Sequence, residues 1–168
     1  ANFELGQPCH AFDLARLAHT DACAQLVIRM AHAGEELTTL DGKKRVLAGD
    51  EVVVADSERA QALAGVMGGR YSEVTESTID IVLEVATWDP VAVRRAARRH
   101  QLRTDASHRY ERVVDVRTVD QAADTIAVMT AEVCGGILCE GVVRAGPDVP
   151  PLHEVILRPD YCTRILGT

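Results

Sequence analysis

Apolar and polar positions alternate over short runs in the first half of this chain and shift to helical spacing in the second. Residues 26–32 read as a strand, closed by a turn at Gly34-Glu35. The runs 37–40 and 43–47 flank Asp41-Gly42, which predicts a two-residue hairpin because glycine accepts positive φ. Residues 51–55 and 60–66 predict two further strands, the second ending at Met67-Gly68-Gly69. Residues 79–86 are strongly apolar, and beyond Asp80 near the start the run is interrupted at Glu84. Before the first of these strands, residues 1–5 read as the tail of a strand, 6–10 as a turn, 11–17 as a short helix and 20–25 as a polar link.

In the second half, Asp89-Pro90 predicts a helix start, aspartate as N-cap and proline at the first helical position. Helical spacing puts Arg94, Arg95, Arg98 and Arg99 on one face and Ala92, Val93, Ala96 and Ala97 on the other. Thr118 and Gln121 have capping-box spacing before a longer helix. Its stripe is Val119, Ala122, Ala123, Ile126, Met129 and Val133, and Gly135-Gly136 stops it. Strands are predicted over 137–143 and 154–158, a proline-rich link over 146–151, and the start of a helix over 159–167. A hairpin early and helices late predict an α+β fold, with layered mixed and antiparallel sheets flanked by helices.

Charge changes this picture at one place. From Arg94 to Arg112 seven arginines face two acids, a local balance of +5 in a chain of −7. A basic island in an acidic chain points to an anion, or to acids of its own scaffold, and both readings stand for the four arginines of the helix. The acidic total excludes a general nucleic-acid coat. At 168 residues, 47% apolar and 26% charged, the chain is a soluble globular domain with at most a stub of a second. Five cysteines without C-x-x-C spacing predict reduced, partly buried thiols in the cytoplasm, and no metal site. No apolar run reaches membrane-spanning length, and the start lacks a secretory pattern. The missing initiator methionine predicts a piece of a larger protein.

Glu84 is the most informative residue. A carboxylate among apolar strand neighbours needs a partner, either an arginine or a ligand that donates to it. His10 follows a constrained turn and is either a cap donor or a positioned polar group. His108 lies within the basic island, where structural hydrogen bonding is the simpler reading. The glycines at 65, 68 and 69 lack the Lys-Ser/Thr of a phosphate loop, which predicts close backbone approach beside a pocket instead of nucleotide binding.

Three blocks together resemble one family. Gly6-Gln-Pro-Cys-His-Ala-Phe-Asp13, Leu63-Ala-Gly-Val-Met-Gly-Gly69 and Arg98-Arg-His-Gln-Leu-Arg-Thr-Asp-Ala-Ser-His-Arg-Tyr-Glu-Arg112 are similar, in order and spacing, to the B3/B4 domain of bacterial phenylalanyl-tRNA synthetase β subunits. The likeness covers residues 5 to about 141. It implies a B3/B4 domain over 1–150, with 151–168 a linker and the start of the next domain, B5. It also implies an editing site that hydrolyses tyrosine wrongly attached to phenylalanine tRNA, or else a structural, RNA-docking module that has lost this activity. In the family pattern Glu84 is the pocket glutamate that accepts from the tyrosine phenol. Gly68 and Ala106 line the pocket, and His10 and Thr104 orient the water or the ester. Arg94, Arg95, Arg98 and Arg99 become candidates for RNA contact. The implied partners are the tRNA 3′ end, tyrosine and the synthetase α subunit. No cofactor is implied for this chain, ATP and magnesium being expected only for the full synthetase. The sequence departs from the pattern at Gln101 and Val113, where glycine is usual. A positive φ at Val113 would strain a β-branched residue.

Overall fold

The computed structural model describes residues 5–20 and 23–167. The strand tail expected over 1–5 falls almost wholly outside them. Ten strands are described: β1 (Cys9–Asp13), β2 (His19–Thr20), β3 (Cys23–Ala24), β4 (Val27–Met30), β5 (Glu36–Thr38), β6 (Lys44–Val46), β7 (Val52–Ala55), β8 (Ala60–Leu63), β9 (Met67–Gly68) and β10 (Ile81–Val85). The helices are α1 (Pro90–Arg99), α2 (Asp105–Tyr110), α3 (Val119–Cys134) and α4 (Pro159–Leu166). The fold is α+β, with one four-stranded sheet ordered β4-β7-β8-β9 and three two-stranded pairs, β1-β10, β2-β3 and β5-β6. Every pairing among these strands is antiparallel, so the expected mixed sheet is corrected to antiparallel ones.

Local chemistry explains several elements. In the β5–β6 hairpin Thr38 faces Lys44, and the Thr39 amide bonds the Lys43 carbonyl at 3.0 Å. The loop is therefore three residues, with Gly42 at φ 78°, and not the expected two. Asp89 caps α1 by accepting from the Ala92 amide at 2.7 Å. Val93, Ala96 and Ala97 of α1 pack into a core with Leu47, Val53, Leu63 and Val66. A second cluster joins Phe12, Leu17, Val54, Ala62 and Ala64. Each large apolar side chain buried this way contributes about 1.5–3 kcal/mol.

Other expectations change. Residues 11–17 are not one helix: β1 runs to Asp13, and only Leu14–Arg16 form a 3-10 turn, capped by Asp13. The polar link over 20–25 carries the short β2-β3 pair. Thr118 makes no side-chain cap on α3, and its hydroxyl donates to the Asp115 carbonyl at 2.8 Å. Gly135 at φ 66° ends α3 as expected, but Met129 and Val133 of the stripe are exposed. The runs 137–143 and 154–158 are not strands; Ile137 and Val143 are 96% and 99% exposed. Apolar residues in extended chain need a sheet edge to join, and none of the described strands pairs with them. All five cysteines are free, and four are exposed where partial burial was expected.

Gln101 and Val113 both have positive φ, 53° and 71°. Gln101 ends α1: its amide bonds the Arg98 carbonyl, the Leu102 amide bonds that of Ala97, and Leu102 packs on the core. Val113 sits in the less favourable position, because its branched Cβ crowds the backbone there. Val113→Gly relieves that crowding, a gain that outweighs the conformational freedom glycine adds to the unfolded chain. It is expected to stabilise by about 1 kcal/mol, a rise in Tm of roughly 2–4 °C in a thermal melt.

Candidate functional site

Three polar side chains without partners converge on one cavity of about 220 Å³. Its walls come from β1, the β8–β9 segment, β10 and α2, elements remote in sequence. The β1-β10 register sets His10 directly opposite Glu84. Residues directly opposite in an antiparallel pair share a face, so imidazole and carboxyl project to the same side. Gly68, Trp88 and Ala106 complete the part of the wall that matters for chemistry.

A buried buckle holds this pair in place. Gln7 is fully buried; its amide nitrogen donates to the Ala86 carbonyl at 2.7 Å and lies 3.2 Å from that of Pro8. The Tyr110 hydroxyl is 3.0 Å from both carbonyls and 3.3 Å from the Gln7 amide. The entry to β1, the exit from β10 and the end of α2 are thereby tied at one point. Burial pushes the Tyr110 phenol up, so it stays protonated and able to donate. Sequence reasoning named neither Gln7 nor Tyr110 as site residues. Their only signal was their presence inside two of the three blocks.

Glu84 forms no hydrogen bond or ion pair among the described residues, so of its two expected partners the arginine is absent. Burial raises its carboxyl from 4.5 to about 7. Burial also lowers the His10 imidazole, which is neutral near pH 7. His10 Nε2 is buried without a partner and lies against Gly68: a Cβ built on Gly68 would stand 2.6 Å from it. The His10 ring meets Phe12 edge-on, centroids 4.5 Å apart. The indole nitrogen of Trp88 is buried and has no hydrogen-bond partner of good geometry. Gly65 makes room for that ring, since a Cβ there would stand 2.7 Å from Cδ1. The close approach expected of the glycine run is thus realised at Gly65 and Gly68.

Thr104 is not where a catalytic hydroxyl was expected. It caps α2, accepting from the Ser107 amide at 3.0 Å and donating to the Val66 carbonyl at 2.8 Å. With both roles filled, it fastens α2, and hence Ala106, to the cavity wall. The arginine face of α1 is divided. Arg99 pairs with Asp50 and with buried Glu51, 2.7 Å away, and Arg95 lies 3.6 Å from Asp50. Arg94 and Arg98 are exposed and form no ion pair among the described residues. The carboxyl of Glu51 is raised by burial, but bonds from Arg99, the Ala48 amide and His100 outweigh this and hold it ionised. Half of the helix's charge therefore secures the scaffold. His108 is exposed on α2. Among the described residues no group of three or more His, Cys, Asp or Glu side chains could hold a metal ion, and no helix is long and apolar enough to cross a membrane.

Chemically, the cavity offers an acceptor, a neutral imidazole and an apolar wall. That combination suits a small ligand with a flat apolar body and one hydroxyl. The raised Glu84 carboxyl also carries a pH signature. The folded chain keeps its proton up to about pH 7, whereas the unfolded chain releases it near 4.5. Stability from this group is full below the lower value, is lost as pH rises between the two, and stays level above. The loss is up to about 3 kcal/mol. Glu84→Gln removes it, so the gap between the unfolding free energies from urea titrations at pH 5 and pH 8 is expected to shrink by about 2–3 kcal/mol relative to wild type. An unchanged gap would mean that the carboxyl is solvated.

A family profile described as "B3/4 domain" matches residues 1–135. Among curated proteins, the phenylalanine–tRNA ligase beta subunit of Nocardia farcinica is 50% identical over 164 residues, covering 98% of this chain and 19% of that protein. The beta subunit of Corynebacterium glutamicum is 44% identical over 163 residues, with coverages of 97% and 19%. That of Geobacter metallireducens is 43% identical over 164 residues, with coverages of 98% and 20%. The chain spans about a fifth of the length of these relatives.

Proposed function

Since the chain belongs to the B3/4 domain family, and its relatives are phenylalanine–tRNA ligase beta subunits, we propose that it is the editing domain of such a ligase. In this reading it hydrolyses the ester of tyrosine wrongly joined to phenylalanine tRNA, in the cytoplasm. The need for such a site follows from binding energetics. A pocket shaped for phenylalanine rejects an isostere with an added hydroxyl by only about a hundredfold. A second pocket that demands the hydroxyl discriminates far better, because phenylalanine would leave its acceptor unpaired.

The observation that carries this reading is Glu84: half-buried, without a protein partner among the described residues, and opposite His10 on a cavity wall. Glu84 accepts from the phenol. Gly68 and Ala106 keep the wall flush enough for a flat ring. The tRNA 3′ end brings the ester carbonyl to the mouth, where the neutral imidazole of His10 holds a water. That water's oxygen bonds to the carbonyl carbon, the carbon–oxygen bond to the ribose breaks, and the ribose oxygen takes up the proton. An aminoacyl ester is already activated, so the step requires neither a protein nucleophile nor a metal. Thr104 is a positioning residue, acting through Val66 and Ala106.

Residues 151–168, whose Val155, Ile156 and Leu157 are 72–87% exposed, are read as the opening of a following domain. The α subunit is the partner of the whole ligase, and ATP and magnesium serve a synthetic site outside this chain. Hydrolysis of tyrosyl- and phenylalanyl-tRNA by a ligase carrying Glu84→Ala is the deciding experiment.

A further inference from the structure

A second cleft, about 570 Å³, lies beside the cavity and is lined by Arg16, Arg59, Arg70, Tyr71, Thr38 and Glu36 among others. We propose that it is a track for single-stranded RNA, leading the 3′ end towards the cavity. This partner rests on the reading that the chain acts on aminoacyl-tRNA; the chemistry of the cleft stands apart from it.

Three guanidiniums face one carboxylate in a chain whose net charge is −7. That carboxylate, Glu36, is itself paired with Lys44 at 2.7 Å. Arg16 and Arg59 each contact one acid, Asp13 at 3.4 Å and Glu58 at 2.8 Å, but a guanidinium has five N–H donors and one pair leaves several free. Arg70 is exposed and forms no ion pair among the described residues. The Arg59 guanidinium lies over the half-exposed Tyr71 ring, 4.4 Å from its centroid. A flat cation stacked on a flat ring makes a platform for an unstacked base, and guanidiniums around it take phosphates. Cationic grooves with aromatic platforms are how proteins bind single strands, whereas a duplex keeps its bases stacked away from such a surface.

Position relates the two clefts. Gly68 lines the cavity, and Arg70 and Tyr71 follow it by two and three residues, at most roughly 11 Å along extended chain. The β5–β6 hairpin holds that spacing: the Leu40 amide bonds the Gly68 carbonyl at 3.0 Å, and the Arg70 amide bonds that of Thr38 at 2.8 Å. The Gly69 amide bonds the Gln61 carbonyl at 2.7 Å. A strand lying on Tyr71 therefore has its next nucleotides at the mouth.

The test is fluorescence anisotropy of a labelled single-stranded RNA ending in CCA, titrated with the 168-residue chain, beside the same RNA in a duplex. Wild type is expected to prefer the single strand. Tyr71→Ala is expected to weaken binding roughly tenfold while Tyr71→Phe retains it, as stacking requires. Arg70→Ala is expected to reduce the salt slope by about 0.7, the share of one phosphate. Both side chains are exposed, and unchanged thermal melts verify that the variants fold. Equal affinity for duplex and single strand, no RNA binding, or variants that bind as wild type would each overturn the proposal; the last two would assign the cleft to a protein segment. Calorimetry of free tyrosine separates the two readings: RNA binding lost in the variants with no tyrosine bound by wild type sinks the editing site and leaves the track standing.

Discussion

Glu84→Ala is expected to abolish the preference for tyrosyl over phenylalanyl ester. The kcat/KM for tyrosyl-tRNA falls by a factor on the order of 100–10,000, while the slow hydrolysis of phenylalanyl-tRNA changes little. A site built to hydrogen-bond a hydroxyl discriminates by about 10,000-fold or more against the analogue lacking it, and removing the acceptor forfeits most of that. Burial raises the carboxyl to about 7, so its removal relieves a desolvation cost, and the melting curve of the variant separates a catalytic loss from an unfolded one. Single-turnover hydrolysis of both esters by the assembled ligase, with a melting curve of the variant, makes the measurement. Normal clearance of tyrosyl-tRNA would refute the assignment of Glu84.

Gly68→Ala is expected to be nearly as damaging, for a steric reason. The new Cβ would meet the His10 ring at its Cε1 and, 2.6 Å away, at Nε2. The ring cannot retreat towards Phe12, which is fully buried and already in edge contact with it. It must swing into the cavity, where it displaces the ligand. Crowding of this kind costs about 1–3 kcal/mol of stability. Tyrosyl-ester hydrolysis should drop at least about a hundredfold, the penalty for misplacing the reacting groups by an ångström. Retention of wild-type hydrolysis by a folded Gly68→Ala variant would show that His10 is free to move and that the wall is not shaped by glycine.

Much of the local structure was legible because it depends on neighbours in sequence. Asp89-Pro90 begins α1, and Gly135 ends α3, through bonds spanning a turn or less. Asp41-Gly42 announced a hairpin and missed only its loop length. Glu84 stood out as a charge among apolar residues, and the cavity explains it. The block containing His10 misled, because Gly6-Gln7-Pro8 has the composition of a turn. Cys9–Asp13 is a strand only by pairing with residues some seventy positions later, and short-range pattern contains no trace of that partner. Thr104 carried an expectation of chemistry, whereas its hydroxyl serves a helix cap. The capping box expected at Thr118 occurs at Thr104 and Ser107.

By itself, the order of residues determined the α+β class, the start of α1, the end of α3, the glycine-backed wall and the basic island, since each rests on backbone preference or on charge within a few residues. It also foretold the strain at Val113, whose φ of 71° needed only a missing glycine to suspect. Tertiary structure alone decided which arginines hold the scaffold, that Gln7 and Tyr110 buckle the site, and that Glu84 faces His10 instead of a guanidinium. Those outcomes depend on strand register and on burial, which are properties of segments brought together from opposite ends of the domain. A carboxylate's partner, and so its pKa and its use, is fixed only when the chain has closed around it.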